Sequence, residues 1–122
     1  MLSLNVVLAQ HDPTATSSLV NNLRGQCRAV TVTKKDQIRD EIRRSRASVA
    51  VLDLELFSLN EVRDLCDEFK GVSVVCTHRL ADEEIWTDVM NAGASDCCLP
   101  NDVNGIMFAV RRYAARGRSA AA

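Results

Sequence analysis

Val49-Ala50-Val51-Leu52-Asp53 is apolar at four successive positions and ends on a carboxylate. A strand with one wet face alternates apolar and polar residues. A strand that is apolar on both parities is covered on both faces, as in a parallel sheet packed between helices. Working outward, the same texture recurs in Leu4-Asn5-Val6-Val7-Leu8-Ala9, Ala29-Val30-Thr31-Val32 and Val72-Ser73-Val74-Val75-Cys76-Thr77. A shorter stretch, Ser95 to Leu99, reads as a fifth strand.

Amphipathic segments lie between these runs. Asp12-Pro13 suits an N-cap and first helical position, and Leu19, Val20 and Leu23 give a stripe that closes near Gly25. Asp36 to Arg46 carries Ile38 and Ile42 four apart in a charged background, with Asp36/Arg39 and Asp40/Arg44 at ion-pair spacing. Asn60 to Phe69 presents Val62, Leu65, Cys66 and Phe69 on one side. Asp82 to Asn91 presents Ile85, Trp86, Val89 and Met90, with Gly93 as its stop. Asp102 caps a last helix carrying Val103, Ile106, Met107, Val110 and Tyr113. A strand–helix unit repeated five times calls for a doubly wound α/β sheet of the flavodoxin-like kind, (βα)5, with strand order 2-1-3-4-5. Residues 1–115 form that domain, and residues 116–122 are expected to be a flexible C-terminal tail.

Composition narrows the function. The chain has 122 residues, enough for one such domain. Aromatics are 4%, which speaks against a base-stacking surface, and the net charge of −1 offers no overall basic field for nucleic acid. The cations of the second helix, Lys34, Lys35, Arg39, Arg43, Arg44 and Arg46, are interspersed with acids and read as a solvated face. The five cysteines contain no Cys-x-x-Cys pair, and Cys97-Cys98 are adjacent; these read as reduced, packed thiols of a cytoplasmic protein. No run approaches the roughly 20 apolar residues that span a bilayer.

In this architecture ligands and chemistry collect at the carboxyl ends of the strands, near the switch between strands 1 and 3. That edge holds Gln10, His11, Asp12, Asp53, Glu55, Thr77 and His78. Alternation along strand 4 sends Thr77 and His78 to opposite sides, which takes His78 out of the cluster.

Over residues 4–113 the chain resembles the receiver domains of bacterial response regulators. The resemblance is carried by Val49-Ala50-Val51-Leu52-Asp53-Leu54, by Val74-Val75-Cys76-Thr77, and by Ala92-Gly93-Ala94-Ser95-Asp96 before strand 5. It implies a signalling module, not an enzyme. Asp53 matches the phosphoryl acceptor and Thr77 the hydroxyl that contacts the phosphoryl group. The implied cofactor is Mg2+, held by the acceptor and by acids after strand 1. The implied partners are a sensor histidine kinase or phosphotransfer protein, an output domain, and a second copy. The second copy would dock through the helix 4–strand 5–helix 5 face, with Trp86, Val89, Cys97, Ile106 and Tyr113 as face residues.

The chain departs from the family pattern at the pocket. Gln10 and His11 stand where the family has its acid pair, and Asp12 comes one residue late. The metal set available is therefore Asp53, Asp12 and Glu55, a weakened site for a hard cation. The family lysine after strand 5 falls on Leu99 or Pro100, and Cys97 replaces the switch aromatic. His11 either bonds Asp53 or water as a neutral imidazole, joins Asp53 on a softer metal such as zinc, or, protonated, stands in for the missing cation. Two other functional classes stand beside the phosphoryl-accepting receiver. One is a phosphorylation-independent interaction scaffold. The other is a small phosphatase with Asp53 as nucleophile, from the spacing Asp53-Leu54-Glu55.

Overall fold

The computed structural model describes residues 4–121, with side chains for residues 4–113. Five parallel strands are laid in the order β2-β1-β3-β4-β5. They are β1 (Asn5–Ala9), β2 (Arg28–Thr31), β3 (Val49–Asp53), β4 (Ser73–Thr77) and β5 (Asp96–Cys98). The helices between them are α1 (Pro13–Leu23), α2 (Ile38–Ser45), α3 (Leu59–Glu68), α4 (Glu83–Asn91) and α5 (Val103–Ala121). This is the flavodoxin-like arrangement anticipated from the alternation of apolar runs. The expected tail over residues 116–122 falls where side chains, and Ala122 altogether, lie outside the described residues. No described helix is long and apolar enough to cross a membrane.

The two parities of the strands supply two cores. Val7, Ala9, Ala50, Leu52, Val74 and Cys76 meet Ile38, Ile42, Val62, Leu65 and Val89 of α2, α3 and α4. Val6, Leu8, Val49, Val51 and Val75 meet Leu19, Leu23, Ile106, Ala109 and Val110 of α1 and α5. β3 is buried at all five positions, which is why its first four are apolar; Asp53 at its end is the exception. Each fully buried aliphatic side chain contributes about 1.5–3 kcal/mol, so these two layers dominate the fold's stability.

Helix ends follow local chemistry. Asp12 accepts the Thr14 N–H and begins α1 at Pro13. Ser58 and Glu61 form a reciprocal capping box on α3. Asp82 accepts from Ile85 N–H at the start of α4, and Asp102 from Gly105 N–H at the start of α5. Gly93 follows α4 at φ +106°, with the position of a Cβ only 3.0 Å from Cys66 Cβ, so α3 and α4 approach there at glycine distance.

The second helix differs from its sequence reading. A short 3-10 turn, Lys35–Gln37, precedes it, and the α-helix proper covers only Ile38–Ser45. The anticipated Asp36/Arg39 and Asp40/Arg44 pairs are not the ones formed. Arg39 and Arg43 reach across to Glu68 of α3, Lys35 reaches Glu61, and within α2 the pairs are Arg43–Asp40 and Arg44–Glu41. The i,i+4 rule considers one helix alone, whereas α3 presents two acids to the same cations. The basic face of α2 is thereby matched with carboxylates, which leaves it a poor phosphate-binding surface.

Candidate functional site

The strand register sets out the site. Asp53 of β3 lies opposite Thr77 of β4, and Ala9 of β1 lies opposite Leu52. Gln10, Asp53 and Thr77 therefore form a row across the carboxyl edge, on the parity that faces α1 and α5. All three are buried: Gln10 is 6% exposed, Asp53 1% and Thr77 0%. Three polar side chains in one row of an otherwise apolar sheet must satisfy one another or the backbone.

They do so as follows. Asp53 Oδ1 accepts the Glu55 N–H at 2.9 Å. Asp53 Oδ2 accepts the His11 N–H at 2.9 Å and faces His11 Nδ1 at 2.6 Å. Thr77 donates its hydroxyl to Gln10 Oε1 at 3.2 Å, and Gln10 Nε2 donates to the Ala9 carbonyl at 3.3 Å. Among the described residues no buried side-chain nitrogen or oxygen lacks a partner. The row is closed on itself.

His11 is the solvent-facing member, its side chain 51% exposed. Its pKa is raised above the ordinary value of 6.5, chiefly by the hydrogen bond to Asp53; desolvation opposes this as the next largest effect, and the charges of Asp53, Glu55 and Asp12 add smaller upward contributions. When protonated, the His11 ring places a positive charge against the Asp53 carboxylate. Of the alternatives open for His11, the geometry realises the bond to Asp53, and the raised pKa extends the charged form to higher pH than in a free imidazole. Beside it lies a cleft of about 410 Å³ bordered by His11, Pro13, Thr16, Thr31, Thr33 and Leu56.

The acids named as metal ligands do not converge. Asp12 is committed to the α1 cap. Glu55 points to Arg79, 3.6 Å away. Both oxygens of Asp53 are engaged, one of them by a cation-capable ring. Among the described residues no group of three or more His, Cys, Asp or Glu side chains is placed to hold a metal. Magnesium asks for several hard oxygen donors in near-octahedral geometry. A carboxamide that accepts from Thr77, an imidazole on the central carboxylate and an acid turned into a helix cap do not make that set. The residues present do not fit Mg2+, and the zinc alternative for His11 and Asp53 lacks a third converging ligand among the described residues.

Arg79 is the residue missed in the sequence. β3 and β4 end side by side at Asp53 and Thr77, and the turns that follow bring Glu55 and Arg79 to 3.6 Å. His78 turns away from the row, as strand alternation requires, and its Nδ1 accepts the Leu80 N–H. Cys97 and Cys98 divide between the two cores, Cys97 toward α4 and Cys98 toward α5. Burial pushes the Cys97 thiol up to about 11 and Cys98 to about 12, so neither is a ready thiolate.

The proposed face residues separate as well. Val89 and Ile106 are fully buried core side chains and present nothing to a partner. The 3.6-residue period marks them as apolar but does not say which apolar position faces the sheet. Cys97 and Tyr113 are half-buried, and Trp86 is 44% exposed. Leu80, Leu99 and Phe108 are exposed apolar residues that the helix pattern did not single out.

Comparison with solved structures matches this geometry over nearly the whole chain. The N-terminal signal receiver domain of a two-component response regulator from Bacteroides fragilis aligns with a TM-score of 0.82 at 15% identity, covering 93% of this chain and 98% of that one. The fold is that of response-regulator receiver domains. A response regulator from Thermotoga maritima shows the same receiver fold, with a TM-score of 0.83 at 19% identity over 93% and 99% of the two chains. So does the BeF3-activated N-terminal receiver domain of RstA from Klebsiella pneumoniae, with a TM-score of 0.78 at 21% identity over 90% and 97%. No family model and no curated protein matches the sequence.

Proposed function

We propose that this chain is a receiver-fold signalling module of the two-component type, acting in the cytoplasm through protein–protein contact, in which Asp53 serves as the buried partner of His11 and not as a magnesium-dependent phosphoryl acceptor. One observation carries the reading: the 2.6 Å approach of His11 Nδ1 to Asp53 Oδ2. A carboxylate attacks a phosphoryl group through an oxygen lone pair, and the transferring group needs cations around its oxygens. Here both carboxylate oxygens already accept hydrogen bonds, the carboxylate is 1% exposed, and the cation-capable ring beside it is bonded to the carboxylate itself.

Thr77 supports the same reading. Its hydroxyl is spent on Gln10, so it is not free to follow a phosphoryl oxygen. With Cys97 in place of the switch aromatic, no large ring on β5 is available to report on Thr77. The partner is a sensor histidine kinase, a phosphotransfer protein or an output domain, met on the α4–β5–α5 face with Trp86 and Leu99 as its exposed apolar residues. Of the two receiver readings, the closed hydrogen-bond row favours the phosphorylation-independent scaffold. A phosphatase reading has no support, because Glu55, the only acid near enough in sequence to act as general acid, lies against Arg79.

The test is titration with beryllofluoride or acetyl phosphate in the presence of magnesium, followed by backbone NMR. The expected result is no shift localised at Asp53 and Thr77. Magnesium-dependent shifts centred on those two residues would overturn the reading.

A further inference from the structure

The near-neutral total charge conceals a strongly uneven distribution. From Leu80 to Val110 the sequence holds six acids and no Lys or Arg. Asp96 and Asp102 are occupied by backbone N–H groups of their own turns. Asp82 caps α4 through the Ile85 N–H, and Glu83, Glu84 and Asp88 follow it on the helix; among the described residues none of the four has an ion-pair partner. Glu41, Glu61 and Glu68 by contrast pair with cations of α2 or its 3-10 turn. A row of acids on one helix with no cation beside it is a surface open to an external cation.

That row borders an apolar cleft. Between the start of α3 and α4 lies a cavity of about 190 Å³ bordered by Leu54, Phe57, Leu59, Ile85, His78 and Asp88. Leu59 is 38% exposed at its mouth, and Leu54 and Ile85 are only partly covered. Cavities of about 150 Å³ already accept a benzene ring, so this one has room for a large apolar side chain. Asp88 links the two features, since it also borders the groove formed with Asp82, Glu83, Glu84 and Thr87. Arg79 is taken by Glu55. Arg63, one turn along α3 from Leu59, is a lone cation against four acids, and the flank stays acidic. Trp86 is one residue, about 100° of helix, from Ile85. The cleft therefore lies on a different side of α4 from Trp86 and goes beyond the contact face proposed above.

We propose that the α3–α4 cleft is a docking site for a basic amphipathic segment of a partner protein, with one apolar side chain seated among Leu54, Phe57, Leu59 and Ile85 and with Lys or Arg side chains along Glu84 and Asp88. Charge complementarity selects this occupant: an acidic or neutral segment would leave Glu83, Glu84 and Asp88 without a counter-charge beside a desolvated pocket. The apolar anchor supplies affinity, and the acid row supplies register and association rate.

The experiment uses the whole chain, isotopically labelled, and three synthetic helical peptides. The first is Lys-rich with a central Leu, the second is the same peptide with Ala in place of Leu, and the third is Glu-rich with the Leu retained. The first peptide should move the signals of Leu54, Leu59 and Ile85. It should bind roughly 10-fold or more tighter than the Ala version, the worth of burying one Leu. Glu84→Lys and Asp88→Lys should each weaken it several-fold while the melting temperature holds. Leu59→Ala, a partly exposed position, should erase the difference between the Leu and Ala peptides. Equal binding of the first two peptides would reduce the site to a bare acidic patch and overturn the proposal. So would shifts centred on Trp86, binding of the Glu-rich peptide, or a dimer in sedimentation that Glu84→Lys dissolves, which would make a second copy the occupant.

Discussion

Asp53→Asn is the sharpest probe of the closed row. The wild-type carboxylate accepts three hydrogen bonds: Glu55 N–H on one oxygen, His11 N–H and the His11 ring on the other. An asparagine has one acceptor oxygen and one NH2 group. Whichever way it turns, its NH2 faces a backbone N–H that previously had an acceptor, at a position 1% exposed. A buried donor left unsatisfied costs about 1–3 kcal/mol. For a domain of this length each kcal/mol lowers the melting midpoint by roughly 3–6 °C, so the variant should melt roughly 3–18 °C lower. The loss should depend on pH with a definite sign. His11 has its pKa raised in the folded protein, so the stability it contributes is full below 6.5 and fades as pH rises through the raised value. The gap between wild type and variant is therefore widest near pH 6 and narrows above the His11 titration. Thermal melts at several pH values, with imidazole NMR following His11, measure both parts. In the variant the His11 pKa should fall back toward its ordinary value. An unchanged melt together with an unmoved His11 titration would refute the ion-pair account of the site.

Other outcomes follow from the same contacts. The double substitution Gln10→Asp with His11→Asp restores carboxylates beside Asp53, so the melting temperature should fall in chelator and rise on adding millimolar magnesium, whereas wild type should show no magnesium response in the same scan. Thr77→Val leaves Gln10 Oε1 buried without its donor and should cost about 1–3 kcal/mol in urea unfolding, with an unchanged m-value. Gly93→Ala must hold a Cβ at φ +106° against Cys66 and should lose about 1–2 kcal/mol or more by the same measurement. Glu68→Ala removes the bridge from α3 to Arg39 and Arg43, yet these side chains are exposed, and the change in stability should stay within about 1 kcal/mol and vanish in high salt.

Much of this fold is legible one residue at a time. The strands are apolar on both parities because each parity feeds a separate core, and that demand is written into every position from Val49 to Leu52. Asp12-Pro13, Ser58 with Glu61, and Gly93 mark helix ends through contacts a few residues long, which is why they can be read locally. That Gln10-His11 follow β1 and Leu99-Pro100 follow β5, with neither an acid pair nor a lysine there, is likewise visible in the string of residues. Contacts between elements are less legible. Arg39 and Arg43 had acids at suitable spacing on their own helix, yet the nearer carboxylate in space belongs to α3, 25 or more residues away in the chain. Val89 and Ile106 have the same apolar signature as Trp86 and Phe108, and only the packing angle of each helix on the sheet assigns one to the core and the other to solvent.

The chain's own sequence determined the strand–helix alternation, the sheet order and the row of positions at its carboxyl edge, because these follow from hydrophobic period, capping chemistry and the handedness of parallel crossovers. The tertiary structure decided what that row does. Sequence left His11 between three roles, and it is the distance between the ends of β1 and β3, 42 residues apart in the chain, that brings its ring within 2.6 Å of Asp53. The energy of a hydrogen bond depends on ångströms and on burial, and neither is a property of a residue's place in the sequence.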